Sequence, residues 1–238
     1  DATTRRTVDS VNARWGNLKA ILAGDFLLAR ASEIAAALGT EVAGLLANTI
    51  ARLCEGQIRE LQDAYNVNRT EDDYYSSIAG KTAALLSTAC RIGGIVGNVP
   101  RPLIETLTDF GRYYGMAFQI VDDILDVVAT DEELGKPAGN DLVEGIYTLP
   151  VLRTMASRHG ERLRQLLGRE LDDAARDEAR SIVRDNGGVE HALAVATDFA
   201  RRASRALEPL AGSIAAISLG AATEHLIARV TEAAAAVR

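Results

Sequence analysis

Apolar residues recur at spacings of three and four along almost the whole chain, and this periodicity limits the fold more than any other feature. Such spacing places apolar side chains on one face of an α-helix. Alanine, the strongest helix former, supplies 40 of the 238 residues, whereas proline, which breaks helices, supplies only 5. No segment shows a convincing strand pattern. The sequence therefore predicts an all-α protein built as a single domain of long helices.

The predicted helices are separated by short polar or glycine- and proline-containing breaks. A break at 135–141 follows the fourth long helix, and Pro100, Gly187, Gly188 and Pro209 mark others. The predicted helices cover 18–38, 40–65, 72–96, 102–128, 142–155, 161–171, 173–186, 189–207 and 211–237.

Charge, cysteine content and hydropathy exclude several classes of protein. The formal net charge is −7, which disfavours binding to a nucleic-acid backbone. Cys54 and Cys90 are too few for a disulfide framework or a four-thiolate zinc site, and both are expected to be buried free thiols in apolar helices. No apolar run reaches the roughly 18 residues of a membrane span, and no signal peptide is visible. These features predict a cytoplasmic protein without a transmembrane segment.

One acidic motif lies on a helix that is otherwise apolar. At about 100° per residue, Gln119, Asp122, Asp123 and Asp126 fall within an arc of about 100° on that helix. Carboxylates crowded on a buried surface repel one another unless a cation compensates, and oxygen-only ligands suit Mg²⁺. The motif therefore indicates a magnesium site, with a solvated acidic face as the alternative.

Cations recur at three other places in a chain that has only three lysines, and one of these places is the pair Arg5 and Arg6 near the start. Lys136 lies in the loop that follows the acidic motif, and Lys81 lies with Thr82 inside an apolar helix, where a buried ammonium group needs an anion. The sequence around Lys81 is not a phosphate-binding loop, because Tyr75 stands where that motif requires glycine. Each cation taken alone fits an ordinary surface position better than a binding site. Together with the acidic motif, they predict a diphosphate site built from helix side chains.

Five segments in this order resemble the trans-isoprenyl diphosphate synthases, also called polyprenyl synthetases. They are TTRRT…SVNARWGN (3–17), AGDFLLARA (23–31), AGKTAALLSTACRIG (79–93), MAFQIVDDILDV (116–127) and GKPAGNDLVEGIYTLPVL (135–152). The resemblance implies an isoprenoid-synthase bundle of helices around a central cleft. It also implies a Mg²⁺-dependent prenyltransferase that condenses isopentenyl diphosphate head-to-tail with an allylic prenyl diphosphate, giving an all-trans product.

The resemblance also assigns roles to individual residues. The family's second aspartate-rich metal motif matches Asp122, Asp123 and Asp126. Residues that hold the diphosphates match Arg5, Arg6, Lys81, Thr82, Gln119 and Lys136. Among these, Lys81, Thr82 and Gln119 are implied to contact the leaving diphosphate or to face the allylic cation.

Two departures from the family pattern are visible. The first aspartate-rich motif is absent, so we expect the domain at 1–238 to be N-terminally incomplete. Ile146 stands where the family often has lysine. A regulatory subunit of a heteromeric synthase and a class I terpene cyclase remain alternative interpretations, although the intact second motif argues against the former.

Two further expectations concern assembly and product. Small-residue faces at 28–38 and 42–53 lie on more than one side of their helices, and a single core cannot bury all of them. Together with the resemblance, this predicts a homodimer. The stripe that contains Leu28, Ala31, Ser32 and Ala35 is small beyond its leucine. It would leave room for a long prenyl chain, beyond about 20 carbons, although close helix packing explains the alanines equally well.

Overall fold

The computed structural model describes residues 4–5, 8–130, 138–158 and 160–236, and these residues are almost entirely helical. The short N-terminal elements are β1 (Thr4–Arg5), β2 (Val8–Asp9) and α1 (Val11–Trp15). The helices that follow are α2 (Asn17–Ala37), α3 (Thr40–Gln62), α4 (Glu71–Ile78), a π-helix (Ala79–Ala83), α5 (Ala84–Val96), α6 (Arg101–Val128), α7 (Asn140–Val143), α8 (Leu149–Met155), α9 (Gly160–Leu166), α10 (Asp173–Asp185), α11 (Gly188–Ala206), a 3₁₀ turn (Glu208–Leu210) and α12 (Ile214–Ala236). The all-α prediction is confirmed.

Helix α6 forms the centre of the bundle. It packs along α5 and α11 and also contacts the π-helix, α8, α10 and α12. Half of its 28 residues, all of which the structure describes, are buried, and Ile120, Val121 and Ile124 are fully enclosed. The acidic motif thus lies at the C-terminal end of the helix that has the largest number of buried residues in the described chain.

Helix α2 is the opposite case. Of its 21 residues, all described, only Ala35 is buried. Large apolar side chains on this helix are roughly half exposed or more, and they are Leu18, Ile21, Leu22, Phe26, Leu27, Leu28 and Ile34. The stripe predicted for a prenyl chain is divided, since Ala35 is buried and Leu28, Ala31 and Ser32 are exposed.

Several sequence-based boundaries were wrong. β1 and β2 pair antiparallel, with Arg5 opposite Val8, where no strand was predicted. The helix predicted at 142–155 is two helices, because Gly145 has a φ of +73° and the chain turns there. The helix predicted at 161–171 ends at Leu166, before Gly168, which has a φ of +82°.

The two cysteines are free, as predicted, but the expectation that both are buried was wrong. Cys54 is exposed and Cys90 is half-buried. The buried positions of α3 include Val42, Gly56 and Glu60. Cys54 lies at least about 120° around the helix from them, so an apolar helix still presents this thiol to solvent.

Among the described helices, none combines the length and the apolar run that a membrane span requires.

Candidate active site

Three helices meet backbone to backbone beside the acidic motif. A Cβ atom on Gly56 of α3 would lie 2.5 Å from the backbone nitrogen of Lys81, and one on Gly80 would lie 2.8 Å from the carbonyl oxygen of Arg52. A Cβ atom on Gly115 of α6 would lie 2.6 Å from the Cα of Ala83. Glycine is therefore what allows α3, the π-helix and α6 to approach so closely.

The predicted residues Lys81 and Thr82 lie on the π-helix, where the sequence predicted an uninterrupted α-helix over 72–96. A single turn of π-helix changes the direction of side chains and occurs frequently at functional sites. Here the turn brings Thr82 to α6, where its hydroxyl donates a hydrogen bond of 2.6 Å to Oε1 of Gln119. Two residues predicted to act together thus contact each other across two helices.

The hydrogen bonds continue from Gln119 into the acidic motif. Nε2 of Gln119 donates to Oδ1 of Asp123 at 2.9 Å, and the hydroxyl of Tyr74 donates to Oδ2 at 2.5 Å. Asp123 is 4% exposed, and its burial raises its pKa to about 7, although both donors and the charge of Lys81 oppose the shift. Thr82, Gln119, Asp123 and Tyr74 therefore form one continuous hydrogen-bonded line.

The three carboxylates of the motif have three different environments. Asp122 is exposed, whereas Asp123 and Asp126 are buried. Oδ2 of Asp126 accepts a 3.2 Å hydrogen bond from the backbone N–H of Asp141, and the Asp126 carbonyl oxygen accepts one from Gly139. Asp126 thus holds the residues at the start of α7 against the end of α6.

Arg180 of α10 supports the same junction. Its guanidinium donates to the carbonyl oxygens of Val127 and Ala129, which lie at the end of α6. Carbonyl groups at a helix C-terminus have no partner within the helix, so an arginine stabilises them. The acidic motif is therefore fixed from behind by α10 as well as by the start of α7.

Lys81 also has a partner that the sequence did not reveal. Its Nζ donates a 2.5 Å hydrogen bond to Oε2 of Glu60 on α3. The Lys81 side chain is 32% exposed and that of Glu60 is 7% exposed. The anion expected for Lys81 is thus present within the protein, in the form of a buried carboxylate.

Arg69 and Tyr74 are further residues that the sequence analysis missed. Arg69 is buried, donates to Ser77 Oγ and to the carbonyl oxygen of Tyr147, and lies with its Cζ 5.7 Å from the centre of the Tyr74 ring. It therefore supports the tyrosine that binds Asp123. The tyrosines at 74 and 75 lie in one predicted helix, and nothing in the sequence distinguishes their roles.

Other predicted residues lie where the structure gives no side-chain placement. Arg6 and Lys136 lie outside the described residues, and only the backbone of Arg5 is described. Their predicted contacts with diphosphate therefore stay predictions. Within the described ranges, no three His, Cys, Asp or Glu side chains form a group that could hold a metal ion.

Comparison with known proteins identifies the family of this chain. The family model for polyprenyl synthetase matches residues 1–185. A nonaprenyl diphosphate synthase from Mycobacterium tuberculosis is 36% identical over 232 residues, which are 96% of this chain and 69% of the relative. Component 2 of the heptaprenyl diphosphate synthase from Geobacillus stearothermophilus is 36% identical over 88% of this chain and 66% of the relative.

A solved structure shows the same likeness in three dimensions. The polyprenyl synthase from Caulobacter crescentus, crystallised with calcium and isoprenyl diphosphate, superposes with a TM-score of 0.90 at 31% identity. The superposition covers 95% of this chain and 70% of the relative. The chain thus spans about two thirds of the length of the relatives it matches. On the family model and on these identities, the chain belongs to the polyprenyl synthetase family.

Proposed function

We propose that the protein is a prenyl diphosphate synthase, which joins isopentenyl diphosphate head-to-tail to an allylic prenyl diphosphate. The observation that carries the proposal is the hydrogen-bonded line from Thr82 through Gln119 to Asp123, with Lys81 next to Thr82 and the exposed Asp122 next to Asp123. These side chains combine a lysine ammonium group, a hydroxyl donor and an exposed carboxylate, which are the groups that a metal-bound diphosphate requires.

The donor set fits Mg²⁺ on the condition that a bound diphosphate and water complete the coordination shell. Mg²⁺ in proteins often takes one or two carboxylates and completes its shell with water and phosphate oxygens. Asp122 is the exposed carboxylate of the motif and would hold the ion together with a diphosphate. Asp123 and Asp126 are engaged with Tyr74, Gln119 and Asp141, and they position the helix that carries Asp122. When bound, the ion supplies positive charge to the departing diphosphate.

The chain's own residues supply the remaining requirements of the reaction. The ammonium group of Lys81 would stabilise the negative charge that develops on the diphosphate. The single O–H of Thr82 would contribute by exchanging its hydrogen bond to Gln119 for one to a phosphate oxygen. Arg5, Arg6 and Lys136 are proposed as further diphosphate ligands, on the family resemblance alone. The buried apolar side chains of α6, such as Ile120 and Ile124, exclude water from the region behind the line.

The test is turnover with Mg²⁺, isopentenyl diphosphate and farnesyl diphosphate, with products separated by chain length. Asp122→Ala should lower kcat by about 10³-fold, because the variant lacks the one exposed carboxylate of the motif. Asp109→Ala is the matched control, since Asp109 is an exposed aspartate on the same helix. Equal activity of the two variants, or turnover without consumption of isopentenyl diphosphate, as a terpene cyclase would show, would refute the proposal.

Two finer points within this function concern the product and the subunits. We propose a long prenyl product, and the alternative to a complete synthase is one component of a heteromeric synthase. The two sequence relatives described above are named as hepta- and nonaprenyl synthases, which supports a long product, and one of them is named as a component. Activity of the purified protein alone distinguishes a complete synthase from a component that needs a partner.

We also propose a homodimer formed through α2. Its exposed apolar residues, among them Leu22, Phe26 and Leu27, have no partner in the described chain that buries them. Specific interfaces bury about 800 Å² on each partner, with apolar residues at the centre, and this helix offers an apolar face of that kind. Sedimentation should show a dimer that Phe26→Asp dissociates. Ile214→Asp, at an exposed position on α12, is the control and should leave the dimer intact.

A further inference from the structure

Glu60 is a buried acidic residue that is not among the residues assigned to the reaction. Its Oε2 accepts hydrogen bonds from Nζ of Lys81 at 2.5 Å and from Nε2 of Gln57 at 3.1 Å. Burial of a carboxylate costs free energy that the attraction to a single partner often fails to recover. An apolar residue at this position would therefore serve the fold at least as well, and the carboxylate calls for another explanation.

Packing does not require the ion pair. The helices that carry Glu60 and Lys81 already meet through the backbones of Gly56 and Gly80, at distances that leave no room for a Cβ atom. The contact between α3 and the π-helix thus forms without any charged group. What the carboxylate adds is a fixed location for the end of a long, flexible side chain.

The geometry of the pair leaves Lys81 available for a second anion. An ammonium group carries three hydrogen-bond donors, and Glu60 occupies one of them. The lysine side chain remains 32% exposed, whereas that of Glu60 is 7% exposed. The carboxylate is therefore behind the ammonium group, on the protein side.

We propose that Glu60 is a positioning residue that holds the Lys81 ammonium group in place for the diphosphate leaving group. This inference rests on the proposed function, because it assigns Lys81 to the diphosphate. The lysine ammonium group is carried by a flexible four-carbon side chain, which loses conformational freedom when it binds an anion. Prior fixation by Glu60 removes that cost at the moment when charge develops on the leaving group.

The kinetic test uses Glu60→Gln, which preserves the shape of the side chain and removes its charge. We expect kcat to fall by about tenfold, the equivalent of one charge-assisted hydrogen bond. KM for the allylic diphosphate should stay constant or decrease, because a negative charge near the substrate is lost. Glu60→Asp should recover part of kcat, and Glu55→Gln, an exposed position on the same helix, should behave as wild type.

A double-mutant cycle separates positioning from a general structural effect. In the Lys81→Ala background, Glu60→Gln should lower kcat no further, because Glu60 acts through the lysine. A further tenfold loss in that background would overturn the proposal. So would a Glu60→Gln variant that loses thermal stability but retains wild-type kcat.

Chemical labelling tests the same contact without turnover. The chain has only Lys19, Lys81 and Lys136, so acetic anhydride followed by mass spectrometry resolves each amine. Glu60→Gln should increase the labelling rate of Lys81 several-fold relative to that of the exposed Lys19. An unchanged rate would overturn the inference about Glu60. If labelling changes as expected but wild-type protein does not transfer prenyl groups, the proposed function fails and the contact stands.

Discussion

Helices α2 and α6 are both long and rich in apolar residues, but they differ completely in burial. In α6, 14 of 28 residues are buried, whereas α2 buries only Ala35 among its 21 residues. α6 is surrounded by α5, α11 and the π-helix, whereas α2 contacts mainly α1 and α3. The comparison shows that apolar content predicts a helix whose apolar face must be buried. It does not specify whether this chain or another molecule buries that face.

The largest expected difference between the two helices concerns side-chain truncation. Ile120→Ala in α6 should lower the free energy of unfolding by about 2–5 kcal/mol, because Ile120 is fully buried and its loss leaves a cavity. Leu27→Ala in α2 should change it by less than about 0.5 kcal/mol. Urea denaturation in the Phe26→Asp background measures both without a contribution from association. Similar values for the two variants would show that α2 is buried in solution even without a dimer.

Glycine substitutions should give a smaller effect of opposite sign in the two helices. A Cβ atom on Gly111 of α6 would lie 2.5 Å from the carbonyl oxygen of Leu86, so Gly111→Ala should destabilise the protein by about 1–3 kcal/mol. A Cβ atom on Gly24 of α2 would meet no atom within 4 Å. Gly24→Ala should therefore stabilise by about 0.5–1 kcal/mol through helix propensity. Thermal unfolding checks both, and destabilisation by Gly24→Ala would place a close neighbour against α2.

Removal of a hydroxyl group gives the smallest contrast. Tyr74→Phe deletes the 2.5 Å hydrogen bond to the buried Asp123 and should cost about 1–2 kcal/mol. Ser32→Ala deletes an exposed bond to the carbonyl oxygen of Leu28 in α2 and should cost less than about 0.5 kcal/mol. Chemical denaturation resolves the two. If Tyr74→Phe is neutral, Asp123 has another donor that replaces the tyrosine.

Local periodicity was enough to predict the helices but not their interruptions. The fourth long helix was predicted at 102–128, and α6 covers Arg101–Val128, because its apolar spacing is regular. The π-helix at Ala79–Ala83 was not predicted. It lies where Gly56 and Gly115 of other helices approach its backbone. Sequence spacing contains no information about that approach.

The candidate site was predicted in the same partial way. Helical angles placed Asp122, Asp123 and Asp126 on one side of α6, but an angle does not specify depth, and only Asp122 is exposed. Glu60 lies 21 residues from Lys81 on a different helix, so the ion pair could be found only in three dimensions. Glu60 is in phase with the buried positions Val42 and Gly56 of α3, which indicates a buried glutamate but does not identify its partner.

The hydrogen bonds of the segment after α3 also limit how early this region can complete its folding during synthesis. Tyr65 donates its hydroxyl to the carbonyl oxygen of Val143, and Arg69 donates to that of Tyr147, each across 78 positions of sequence. Ribosomes add about 5–20 residues per second, so these groups wait for roughly 4–16 seconds during synthesis before their partners exist. Arg69 supports Tyr74, and Tyr74 binds Asp123. The acidic motif therefore acquires its full set of contacts only after the chain through Tyr147 has been synthesised.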